Sequence, residues 1–130
     1  MEQDLRSLLK ADADIMSLAT AVECDEVAQG KPMPRIILET AFGLRDKHMG
    51  GPQVTRTTRI RASCWGEKSA DTHTLKEYLI AAVEGATGVI QGGTRFLGIF
   101  PTELGSGQED TPDGIRLREI IDLSICHTIP

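Results

Sequence analysis

The chain has 130 residues, enough to bury a core without disulfide or metal staples and few enough for a single domain, residues 1–130. Hydrophobic residues make up 40% and charged residues 25%, with only three Phe, one Trp and one Tyr; this is globular composition with an aliphatic core. A formal net charge of −5 argues against a dedicated nucleic-acid binder, which would carry a basic domain, but leaves room for a local basic patch.

Cys24, Cys64 and Cys126 are far apart, with no CxxC and no His at zinc-finger spacing, so free thiols in a reducing compartment are expected. The first twenty residues carry Glu2, Asp4, Arg6, Lys10, Asp12 and Asp14, unlike a signal peptide, and no apolar run approaches membrane-spanning length. The expectation is a soluble, cytosolically made protein with no membrane partner.

In chain order, Leu5, Leu8, Leu9, Ile15 and Met16 hold one helical face interrupted by Asp12. That spacing predicts a helix from about Gln3 to Lys10, a turn at "ADAD" and a short helical piece to Ala19. "VECDEVAQGKPMP" is punctuated by Gly30, Pro32 and Pro34 and reads as irregular. "RIILETAF" reads as a strand with Ile36, Leu38, Thr40 and Phe42 on one face. After the glycine-bearing "GLRDKHMGGPQ", a second strand puts Val54, Arg56, Thr58, Ile60, Ala62 and Cys64 on one side and Arg59, Arg61, Ser63 and Trp65 on the other.

Ser69 and Asp71 suit a helix start. Leu75, Tyr78, Leu79, Ala82, Val83 and Ala86 form the buried stripe of that helix, and Gly85 marks its end. "GVIQGG" turns the chain, "TRFLGIFPTEL" is a third strand, and "GSGQEDTPDG" is a polar loop. The last strand, "IRLREIIDLSICH", alternates Ile115, Leu117, Glu119, Ile121, Leu123 and Ile125 against the rest. The predicted fold class is α+β. It is a mainly antiparallel four-stranded sheet with two helices packed on one face, order α-β-β-α-β-β, and an extended β-hairpin arm.

Catalytic chemistry finds no footing. His48, His73 and His127 share no ligand spacing, so no metal site is expected. "DADI" begins like a calcium loop, but Ser17 stands where the glycine should be, and "GSG" lacks the third glycine of a dinucleotide turn. Ser7 and Lys10 have SxxK spacing without partner motifs and read as a solvated helix face. Asp71 and His73 read as a helix start with an exposed His. No enzyme activity, catalytic residue or cofactor is predicted.

The remaining feature is "GGPQVTRTTRIRASCWG". Arginine on the core-side half of a strand cannot be buried unpaired cheaply, so the N-terminal part of this strand is expected to run past the helices as an arm with "DKHMGGPQ" at its tip. Arg45, Lys47, His48, Arg56, Arg59 and Arg61 would make the arm basic, while Glu103, Glu109, Asp110 and Asp113 lie in or beside the late acidic loop. The bland reading is an edge strand kept soluble by arginine and threonine. The sharper one is a subunit contact, basic arm against the next protomer's acidic loop, a heterologous contact that can close a ring. A small binding module using the same arginines on nucleic acid is the alternative, with Trp65 its single stacking candidate.

"DLRSLLKADADIMSLA", "PRIILETAFGLRDKHMGGPQVTRTTRIRASCWGEKSADTHTLKEYLIAAVEG" and "GIRLREIIDLSICH" together resemble the small tail-completion, or tail-terminator, proteins of long-tailed bacteriophages, prophages and gene transfer agents. That resemblance implies a structural virion protein that forms a hexameric ring on the head-proximal end of the tail tube. The implied partners are further copies of itself, the major tail (tube) protein and the head–tail connector or stopper, with DNA able to pass through the lumen without being gripped. It implies assembly in the host cytoplasm and a final place at the tail–head junction. It supplies no catalytic residues.

Overall fold

The computed structural model describes residues 2–24, 34–48, 51–111 and 114–128. Two short helices open the chain, α1 (Glu2–Lys10) and α2 (Ala13–Leu18). Asp12, the break in the apolar stripe, caps α2: its carboxylate accepts the Ile15 N–H at 3.0 Å. Leu5, Leu9 and Ile15 are fully buried, as their spacing predicts.

Strand β1 (Ala21–Cys24) follows, where irregular chain was expected; only Val22 of its four residues is buried, too little alternation to read as a strand. Residues 25–33 of that stretch lie outside the described residues. Then come β2 (Arg35–His48), β3 (Gly51–Gly66), α3 (Ser69–Glu84), β4 (Ile90–Gln91), β5 (Thr94–Thr111) and β6 (Gly114–Thr128). The sheet order is β1-β2-β3-β6-β5-β4. β1 is parallel to β2 and every other pair is antiparallel. The α+β class holds, but among the described residues the sheet is six-stranded and mixed and the helices number three, because β1 and β4 are short and the opening helical region is two helices.

Helices and sheet share one core. Leu5, Leu9 and Ile15 pack with Leu75, Leu79 and Val83 of α3 against Ile36, Leu38, Ile60, Ala62, Ile121, Leu123 and Ile125. These strand residues are the alternating apolar sets of the sequence, as expected for a sheet covered on one face. α3 ends at Gly85, whose N–H bonds the Ala81 carbonyl at 3.2 Å. Its start departs from expectation: Lys68 is the N-cap, without a side-chain cap bond, and Ser69 is the first helical residue.

Gly92 (φ 59°) and Gly93 (φ 98°) form the two-residue turn between β4 and β5, where two positive φ values suit glycine. The predicted polar loop after "TEL" is strand instead: β5 stays paired with β6 through Gln108↔Leu117 to Thr111↔Gly114. Its glycines and acids lack strand propensity, so pairing with β6 decides the conformation.

Candidate assembly interface

The register separates two overhangs at opposite ends of the sheet. β3 pairs with β6 from Thr55↔Thr128 to Gly66↔Leu117. Among the described residues, Gly51–Val54 therefore extend past the end of β6, paired only with β2 through Lys47↔Pro52 and His48↔Gly51, an overhang of about 13 Å at 3.3 Å per residue. At the other end β5 and β6 continue past β3 through Glu109↔Arg116 and Asp110↔Ile115. Arg45, Lys47 and His48 thus belong to one end and Glu109 and Asp110 to the other. Asp113 lies outside the described residues.

The remaining arginines are not on an arm. Arg56, Arg59 and Arg61 lie where β3 is flanked by β2 and β6; the protruding part is confined to the four residues before Thr55. A central strand also removes the edge-strand reading. Arg56 is half-buried opposite His127. The Arg59 guanidinium donates to the Asp122 carboxylate of its own chain, and Asp122 is only 5% exposed. Arg61 is exposed, with Glu39 and Asp122 as its cross-strand neighbours.

Glu103, also expected at the interface, is tied inward: Lys76 of α3 donates to it at 2.7 Å and lies 3.4 Å from Glu119 and 3.7 Å from Glu77. The hydrogen bond from Lys76 and its charge hold the Glu103 carboxyl below the usual range, and chiefly through Glu103 the Lys76 ammonium is raised. Beneath them, burial pushes the Cys64 thiol up to about 12, with Glu119 adding to the rise. Nothing in the sequence spacing marks Lys76, which follows Leu75 in the buried stripe; only the sheet register brings the two strand carboxylates to it.

Trp65 is 7% exposed and covered by the Arg118 guanidinium, 5.2 Å from the ring centre, so it is no stacking platform for bases. His73 is 3.8 Å from Glu77, one turn on, not beside Asp71, and the Ser7 hydroxyl donates to the Gln3 carbonyl. Among the described residues, no group of three or more His, Cys, Asp or Glu could hold a metal ion, and no helix is long and apolar enough to cross a membrane.

Sequence reasoning missed two further features. His127 is buried, accepting from the Thr58 hydroxyl at Nε2 (2.8 Å) while Nδ1–H donates to the Thr128 carbonyl (2.8 Å). Phe100 is the most exposed large apolar side chain among the described residues, at 65%, on the sheet face away from the helices, in one row with Ser124 and Arg59.

No curated protein matches the chain. Its fold is shared with a chain from a structure titled "Virion of native gene transfer agent (GTA) particle", with a TM-score of 0.65 at 14% identity, covering 98% of this chain and 94% of that one. The family model described as "Tail completion protein gp17" matches residues 3–120. This match spans both helices of the opening, the basic strand, α3 and the acidic ribbon, and the chain belongs to that family of structural bacteriophage tail proteins.

Proposed function

We propose that the protein caps the head-proximal end of the tail tube as a ring of identical subunits, a hexamer, ending tube growth and joining the tail to the head connector. The observation carrying this reading is the placement of basic and acidic positions at opposite ends of one sheet in a chain of the tail completion family. Two different surfaces on one protomer form a heterologous contact, and a rotation that closes makes a ring. Arg45, Lys47, His48, Arg56 and Arg61 supply the positive side, and Glu103, Glu109, Asp110 and Asp113 the negative side. Arg59 serves the contact only with the half of its side chain that Asp122 leaves exposed.

The partners in this reading are neighbouring copies, the tube protein and the connector or stopper, at the tail–head junction of a phage, prophage or gene transfer agent particle assembled in the host cytoplasm. DNA passes through the lumen. Light scattering with negative-stain images tests it: rings, or subunits assembling on isolated tube ends, weakened as salt rises. A protein that stays monomeric at low salt and ignores both tubes and connectors rejects the reading. The nucleic-acid alternative loses its stacking residue, Trp65, beneath Arg118, and an absence of DNA binding at low salt in an anisotropy titration would dispose of it.

A further inference from the structure

β5 has one partnered edge and one open edge. β6 pairs with it from Phe96 to Thr111, whereas β4 meets only Thr94 and Arg95. Phe96 is the last residue held on the β4 side: its N–H donates to the Val89 carbonyl at 2.9 Å and its carbonyl accepts the Gly88 N–H at 2.6 Å. Among the described residues, no strand lies against that side of β5 beyond Phe96.

The register fixes which backbone groups face the open edge. An antiparallel ladder alternates residues that exchange bonds with the neighbouring strand and residues that turn their N–H and C=O away from it. Phe96, Ile99, Pro101 and Glu103 stand opposite every second residue of β6: His127, Ile125, Leu123 and Ile121. Phe96 bonds outwards, so the other three face outwards as well. Pro101 therefore occupies a position where its missing N–H takes nothing from the β5–β6 ladder. It lies between two register shifts, at Phe96/Gly98 and Glu103/Gly105.

The strand it interrupts is hazardous. Phe96–Phe100 reads FLGIF, apolar and uncharged, and Leu97, Phe100 and Leu104 are exposed. A long apolar edge is a template for strand addition, and proline, together with bulges that twist the edge away, is how such templates are blunted. We propose that Pro101, flanked by the two bulges, bars the open edge of β5 to a strand from a second copy of the chain. An incoming carbonyl at that position meets the proline Cδ where a donor should be and is left unpaired. The strand excluded is a second copy's because every copy brings the same apolar edge to the encounter. Association between copies is thereby left to side-chain contacts, and the device does not depend on the ring reading.

Two measurements test it. Pro101→Val and Pro101→Ala restore the donor; with wild-type circular-dichroism spectra and urea midpoints, each is expected to aggregate at a several-fold lower concentration than wild type, into thioflavin-positive material. Thr102→Lys added to Pro101→Val sets a charge on the same edge strand and should restore solubility. Folded variants as soluble as wild type, or aggregation that the lysine leaves unchanged, overturn the proposal. Amide hydrogen exchange on the wild-type protein, in whatever assembly it forms, gives an answer even where neither variant folds. The Ile99 and Glu103 amides should exchange faster than those of Phe100 and Thr102, which bond to β6. Equal protection of all four would show a strand seated on the edge and overturn the proposal. Absence of rings counts against the ring reading alone.

Discussion

Arg59 donates to Asp122 diagonally across the β3–β6 pair, although Arg61 is the residue directly opposite that carboxylate. Asp122 is buried and Arg59 half exposed, so the two ends of the pair respond differently to mutation. Arg59→Ala strands a buried carboxylate and is expected to cost about 1–2 kcal/mol, below the figure for a fully buried pair because water reaches the guanidinium. Asp122→Asn, which removes the charge rather than orphaning it, should cost less. Urea denaturation separates them. If Arg59→Ala and Arg61→Ala are equally stable, the pair contributes nothing to folding.

This division assigns the test of assembly to Arg61. Arg61→Gln leaves the Asp122 pair in place without setting a like charge opposite Glu39 and Asp122, and is expected to keep the wild-type urea midpoint while weakening self-association several-fold at low salt, with the difference shrinking at high salt as charges are screened. Sedimentation at two salt concentrations reads it. An oligomer unchanged at both would remove Arg61 from the contact.

The Lys76 tie gives a stability contribution with two pH limits. Glu103 titrates below its ordinary 4.5 in the folded protein; the unfolded chain takes up the proton first, so its contribution is present above that value and fades as pH falls through the folded one. Lys76 is raised above 10.5, so its contribution is complete below that value and lost as pH rises through the folded one. Lys76→Met should therefore differ from wild type by a constant amount between about pH 5 and about pH 10, with the gap narrowing outside. A gap that stays constant into acid and alkali would mean that Lys76 acts through packing alone.

How far the sequence carries the fold is clearest along β5. Phe96 and Phe100 are four residues apart, and strict alternation would put both on one face. A register shift between Phe96 and Gly98 instead leaves Phe96 fully buried and Phe100 in solvent, since one inserted residue exchanges the faces of all that follow. β2 does the same between Thr40 and Phe42, where Phe42 pairs with Arg59 instead of continuing the row of Ile36, Leu38 and Thr40. The unbulged strands were legible: Ile60, Ala62 and Cys64, and Ile121, Leu123 and Ile125, are buried as their alternation predicts. The charged candidates were found as residues, but their partners, Asp122 on β6 and Lys76 on α3, are set by sheet register and helix packing, which composition does not encode.

Cys64 is fully buried with its thiol pushed up to about 12, so about one molecule in ten thousand carries the thiolate at about pH 8. Iodoacetamide should leave Cys64 unmodified in the native protein and label it after denaturation, as mapped by mass spectrometry. Labelling of Cys64 at native pH would show that the sheet opens beneath Lys76 and Glu119.

His127 sets an acid limit at the basic end of the sheet. Its two hydrogen bonds fix the neutral ring with the proton on Nδ1, so protonating Nε2 must displace the Thr58 hydroxyl as donor. Burial pushes the pKa below 6.5; the Thr128 carbonyl opposes this, and neighbouring Arg56 adds to the depression. Below that value the unfolded chain binds the proton before the folded one does, so stability falls as pH drops from 6.5 towards the folded value. The urea midpoint should decline as pH falls below about 7, and His127→Gln should flatten that decline while keeping a donor and an acceptor at the site. An equal decline in His127→Gln would assign the acid sensitivity to another group.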